Sequence, residues 1–120
     1  MVFVLVCLAG AVGAVARFTI DAAFRARYGT TFPWPTVLIN ITGSLLLGIL
    51  TGLVLYHHTG KDVVLVIGTG FCGGYTTFST AMFETVRLIQ RNAWRAAISN
   101  MVATTVLTTA AAALGLAVVA

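Results

Sequence analysis

Gly73-Gly74-Tyr75-Thr76-Thr77-Phe78-Ser79-Thr80 interrupts an otherwise apolar stretch with the residue types that stop one helix and start another. Gly73 or Gly74 is expected to end a half-helix in the left-handed conformation, with Thr76, Thr77 or Ser79 capping the next. Backbone groups freed in this way cannot face hydrocarbon without a large cost, so the break must be buried in protein, hold an ion or line water. A half-helix that ends there presents carbonyls suited to a dehydrated cation, and one that begins there presents amide donors suited to an anion. Broken helices of this kind mark transport sites. The competing reading takes Gly70-Phe71-Cys72-Gly73-Gly74 as no more than a surface for close helix packing.

Two further lines of polar residues could meet the break. Thr36, Asn40, Ser44, Gly48 and Gly52 recur every four residues, and Asn40 brings a carboxamide with two N–H donors that needs partners. Asn100, Thr104 and Thr108 repeat the spacing, with Ser99, Thr105 and Thr109 alongside, although hydroxyls of this kind also bond back to their own helix. Neutral donors can hold a small anion without trapping it, which suits conduction. The electropositive ring edges of Phe78 and Phe83 could add to this. Glu84 lies one turn before Arg87, so an ion pair between the two is expected at the membrane surface.

Other chemistry is poorly supported. Gly68 to Gly73 fits a GxGxxG pattern, but no acidic residue about 20 positions on and no alternation of strand and helix accompany it. Cys7 and Cys72 lie in apolar runs without metal or disulfide spacing, and His57-His58 reads as a solvated turn. There is no nucleophile with its base, no paired carboxylate and no metal-ligand cluster, so an enzyme is not expected.

The elements that must position these residues follow from composition. The chain has 120 residues, 59% of them hydrophobic and 8% charged, which excludes an ordinary water-soluble domain. Each membrane crossing takes about 20 residues, so the length holds four helices and no soluble catalytic domain. They are expected over about residues 2–20, 36–56, 63–89 and 95–120, the third broken near the midplane. The first run lacks a preceding basic segment and is expected to be a retained helix rather than a signal peptide, with Arg17, Arg25 and Arg27 following it. Tyr28 to Pro35 reads as a loop, with Trp34 as an interfacial anchor. The 7 Lys and Arg against 3 Asp and Glu give a net charge of +4, for which anionic lipid headgroups are the expected counter-charge. Arg25, Arg27, Arg87, Arg91 and Arg95 fall on one side and Lys61 on the other, which predicts both termini outside. Four helices are too few to enclose a wet pore, so a dimer is expected, with the glycines as its packing surface.

Taken together, the chain resembles the Fluc (CrcB) family of bacterial fluoride channels over essentially its full length. The resemblance rests on Gly73 to Thr80, on Gly13-Ala14-Val15-Ala16-Arg17-Phe18, and on Asn40-Ile41-Thr42-Gly43-Ser44. It implies an all-α membrane protein of the bacterial inner membrane, a passive fluoride exporter built as an antiparallel dual-topology dimer with a central sodium ion. By position, it implies that Gly73 and Thr76 hold the sodium through backbone carbonyls and that Asn40 and Phe78 contact fluoride. It also places Thr36, Asn100, Thr104 and Thr108 on the fluoride pathway and Arg17 near its cytosolic mouth.

The chain departs from the family pattern twice. Ala81 stands where a second Phe is usual, and the arginine bias is greater than a protein inserting in both orientations should carry. Both suggest pairing with a homologue of opposite topology. The main rival, a proton-coupled four-helix exporter of the multidrug type, needs an intramembrane carboxylate, whereas Asp21 and Glu84 are expected near interfaces. A noncatalytic assembly subunit of a larger membrane complex is the third possibility.

Overall fold

The computed structural model describes residues 1–29 and 32–120. Thr30 and Thr31, within the expected loop, lie outside the described residues. Among those described there is no strand, and four helical spans are long and apolar enough to cross a membrane. The longest dimension, 48 Å, matches a bilayer with its headgroup layers, about 40–45 Å thick.

α1 runs from Val2 to Tyr28, eight residues beyond the expected end at Ile20. Its apolar part satisfies the hydrocarbon layer, and the rest continues as a helix because Asp21 and Arg25 pair one turn apart, 2.9 Å from Oδ1 to Nε. Arg17, Arg25 and Arg27 therefore ride on α1 rather than follow it. The helix stops at Gly29, whose φ of 48° and ψ of 47° are left-handed, with its N–H on the Arg25 carbonyl.

α2 spans Trp34–His57. Pro33 and Pro35, expected to belong to a loop, set its first turn instead, where a missing N–H costs nothing. His58 closes it in the left-handed region. α6, Trp94–Val118, lies against α2 along a seam in which Gly48 abuts the Ala112 backbone and Gly115 abuts the backbone of Leu45 and Ile49. These glycines, together with Gly52 against Leu116 and Val119, are used inside the subunit. They do not form the dimer surface that the sequence suggested, because burying backbone against backbone gains the same dispersion contacts within one chain.

The third span is assembled from four pieces: α3 (Lys61–Val64), a π-helical stretch (Leu65–Cys72), α4 (Gly73–Tyr75) and, beyond a gap at Thr76–Phe78, α5 (Ser79–Gln90). Its first half lies on α1. Gly74 abuts the Gly10 backbone and Gly13 abuts the Phe71 carbonyl and the Tyr75 amide, so a side chain at either would separate the helices. Gly70 meets Ala9 and Val6 in the same seam. The packing reading of these glycines is thus correct for Gly70 and Gly74. Gly73 differs, since a Cβ there would meet nothing within 4 Å.

Candidate functional site

The break lies at Thr76–Phe78, not at the glycines. Gly73 is right-handed, with φ −62° and ψ −37°, and Gly29 is the one glycine at positive φ among the described residues. The chain leaves the helix at Thr76, which is extended at φ −79° and ψ 157°. Gly74 is spent on approaching α1, and an extended Thr suffices to turn the chain out. Of the three candidate caps, Thr77 serves: its Oγ1 accepts from the Thr80 amide at 3.1 Å. Thr76 Oγ1 instead donates back to the Cys72 carbonyl at 2.8 Å.

Asn40 answers the freed backbone directly. Its Nδ2 donates to the Thr77 carbonyl at 2.9 Å, and its Oδ1 accepts from the Thr77 amide at 2.9 Å. One carboxamide thus replaces both hydrogen bonds of an interrupted residue and keeps one N–H in reserve. The Gly73 and Thr76 carbonyls are among those that lose their helical donors at the gap. The Thr77 amide goes to Asn40 rather than to Gly73, and the Thr80 amide goes to Thr77 Oγ1 rather than to Thr76. Arg17 Nε points to the Gly74 carbonyl at 3.5 Å, a long contact that adds positive charge at the end of the same half-helix.

A cavity of about 560 Å³ opens at this point. Asn40, Gly73, Thr76, Phe78, Thr104 and Thr108 line it, six of the residues singled out from sequence, and so does Ala81. Ser44, Thr105 and Thr109 add hydroxyls, and Met82 and Met101 add thioethers that sequence reading passed over. None of the described residues that line it carries a formal charge. Phe78 is 78% exposed, so its ring is free to face whatever fills the groove.

Three expected pathway residues lie elsewhere. Asn100 is 1% exposed and donates from Nδ2 to Thr85 Oγ1 at 2.8 Å, while Thr85 donates to the Ala81 carbonyl at 2.8 Å. It ties α6 to α5 and touches the cavity only through Thr104, whose hydroxyl is 3.5 Å from Asn100 Oδ1. Thr108 Oγ1 donates to the Thr104 carbonyl at 2.5 Å, leaving its oxygen free to accept. Thr36 is buried and donates to Glu84 Oε1 at 2.5 Å. Arg17 does not line the cavity.

Glu84 does not pair with Arg87 as expected. Its Oε2 takes Arg25 Nη2 at 2.7 Å, because the extension of α1 carries Arg25 to it, and the same guanidinium binds Asp21 through Nε. This junction forms the wall of a second cavity, of about 400 Å³, between α1, Pro33 and α5. Thr80, Phe83, Arg87, Leu88 and Arg91 complete its lining. Phe83 therefore faces away from the break, on the opposite side of α5 from Ala81.

Comparison with known proteins finds relatives along nearly the whole chain. A family model described as CrcB-like protein, Camphor Resistance (CrcB), matches residues 4–116. The chain is 47% identical over 116 residues to a protein of Leifsonia xyli subsp. xyli named fluoride-specific ion channel FluC 1, covering 97% of this chain and 85% of that one. It is 48% identical over 110 residues to a Mycobacterium tuberculosis protein named fluoride-specific ion channel FluC 2, covering 92% and 84%. A Symbiobacterium thermophilum protein named fluoride-specific ion channel FluC 1 is 46% identical over 119 residues, covering 98% and 96%. With four membrane-length helices matched nearly from end to end, this chain is a multi-pass membrane protein that belongs to the CrcB family.

Proposed function

We propose that this chain is the subunit of a fluoride-specific ion channel, and that it exports fluoride passively across the bacterial inner membrane. The observation that carries the reading is the cavity at the break, which offers the remaining N–H of Asn40 and the Thr104 hydroxyl, held only by a long 3.5 Å contact to Asn100, as neutral donors and no fixed charge. A small, strongly hydrated anion needs donors to replace its water, and donors without formal charge release it again. The exposed edge of Phe78 adds positive electrostatic character on the same wall. Asn100 would act by orienting Thr104, Arg17 by raising anion concentration at one mouth, and Thr36 at the charged end beside Glu84. A channel performs no covalent chemistry, so the chain is not an enzyme.

The donor set at Gly73 and Thr76 fits a sodium ion. Both carbonyls have lost their helical donors, both residues line the cavity, and the half-helix that ends there turns its negative pole toward it. Two carbonyls are too few to replace a hydration shell, and a second copy on a two-fold axis would double them. An antiparallel dimer related by such an axis, closed over this open groove, would also enclose the break in protein. Arg25, near the end of α1, pairs with Glu84 in the middle of α5, which sets the basic residues that follow on α5 on the same side as those of α1. That favours a paired homologue of opposite orientation over dual insertion of this chain alone.

The test is fluoride efflux from liposomes containing only the purified chain, followed with a fluoride electrode beside a chloride control and without a proton gradient. Rapid, fluoride-selective release is expected if one chain suffices. Silence rescued by a co-expressed homologue would assign a heterodimer, and release that requires a proton gradient would replace the channel with a coupled exporter.

A further inference from the structure

α5 carries Phe83 and Arg87 four residues apart on one face, and Arg91, which caps the helix, follows at the same interval. All three line the second cavity. The two guanidinium groups have no hydrogen bond or ion pair among the described residues, because Glu84 is occupied by Arg25 and Thr36, and Asp21 by Arg25. Two like charges one turn apart repel unless an anion lies between them. The last turn of α5 favours one cation through the helix dipole, but that does not account for both facing the same hollow.

The order of the line is informative. Phe83, 63% exposed, is nearest the break and hence the membrane interior, while Arg87 and Arg91 stand where the span emerges. Leu88 and Pro33 extend the apolar wall, and the exposed rings of Trp34 and Trp94 mark this end as interfacial. An occupant matched to such a surface has an acyl chain to lie along the ring and a phosphodiester to bridge the guanidinium pair.

We infer that the cavity between α1 and α5 binds one anionic phospholipid, its phosphate held by Arg87 and Arg91 and its acyl chain lying on Phe83. A free phosphate would satisfy the two arginines but would leave the ring unused. The inference rests on the chain spanning a membrane and not on fluoride conduction.

The experiment measures phosphatidylglycerol binding to the purified full chain in detergent, by native mass spectrometry and by the shift in thermal unfolding. Phosphatidylcholine of the same chain length and inorganic phosphate serve as comparisons. Selective retention of phosphatidylglycerol is expected, weakened about fivefold for each guanidinium removed, and so roughly twenty-fivefold in Arg87→Gln/Arg91→Gln. The control Arg27→Gln/Arg95→Gln removes the same charge outside the cavity and is expected to bind as the parent does. Phe83→Ala should weaken the lipid without altering any response to inorganic phosphate. Equal weakening in the two double variants would reduce the effect to general surface charge and overturn the site. Stabilisation by inorganic phosphate as strong as by phosphatidylglycerol would overturn the lipid.

Discussion

On one side of α5 the cavity at the break is lined by Asn40, Thr104 and Thr108, and none of its described lining residues carries a formal charge. On the other, Asp21, Arg25, Glu84, Arg87 and Arg91 crowd a smaller hollow. Both are wet enough in composition to hold an anion, yet one uses dipoles and the other uses charges. Depth explains the difference. A fixed charge near the bilayer centre is expensive and binds its counter-ion tightly, whereas a charge near the headgroups can be paired or hydrated cheaply. An ion path needs the first kind of surface and an anchor tolerates the second.

The sharpest way to break that contrast is to place a charge on the neutral side. Asn40→Asp removes the donor to the Thr77 carbonyl, sets a carboxylate oxygen against it and faces a passing anion with like charge. Fluoride flux in liposomes should fall roughly a hundredfold, equal to about 2.7 kcal/mol on the barrier. Unchanged flux in a variant that purifies as the parent does would remove Asn40 from the path.

The tie between α5 and α6 should answer in stability. Asn100→Leu leaves Thr85 Oγ1 without its donor and the Thr104 hydroxyl without its acceptor, at a site almost free of solvent. A loss of about 2 kcal/mol is expected from thermal or denaturant unfolding in detergent. Thr104→Val, which lines the cavity without tying two helices together, should lower flux with little loss of stability. If the two variants gave the same profile, the division of α6 into a structural and a conducting part would be lost.

Much of the fold was legible from the sequence because membrane spans are written in local hydropathy. The break was legible as a place, since Gly73 to Thr80 carries the residue types that stop and restart a helix, but not in its mechanism. Gly73 and Gly74 are indistinguishable in sequence. Only the approach of Gly10, 64 positions from Gly74, spends one on packing, while the other is left facing the groove. Asn40 was visible as a carboxamide in need of partners, yet its partner Thr77 is 37 residues away. Local spacing pairs Glu84 with Arg87 because an i,i+3 neighbour is the default partner on a helix. Arg25 outcompetes Arg87 only because α1 runs on past Ile20 to bring it within reach. In each case the residue type was readable and the long-range choice between candidates was not.

Removing charge from the charged side should cost less than adding it to the neutral side. Glu84→Gln keeps an acceptor for Thr36 but presents an amide donor to Arg25 Nη2, and the Glu84 side chain is only 13% exposed. About 1 kcal/mol of stability should be lost, a value discounted because the guanidinium itself is 46% exposed.

Asp21→Asn touches the same guanidinium from its wetter side and should cost least. The Asp21–Arg25 pair is an i,i+4 contact with 33% and 46% of the two side chains exposed, so water already screens most of its attraction. The amide oxygen of Asn can still accept from Arg25 Nε, and the loss should be about 0.5 kcal/mol or less in the same unfolding measurement. Because both carboxylates bind one arginine, the ratio of the two losses measures burial rather than charge. A cost for Asp21→Asn equal to that for Glu84→Gln would show that the inner carboxylate gains nothing from its partial burial. The charged cavity would then be ordinary surface, and its contrast with the break would rest on the neutral side alone.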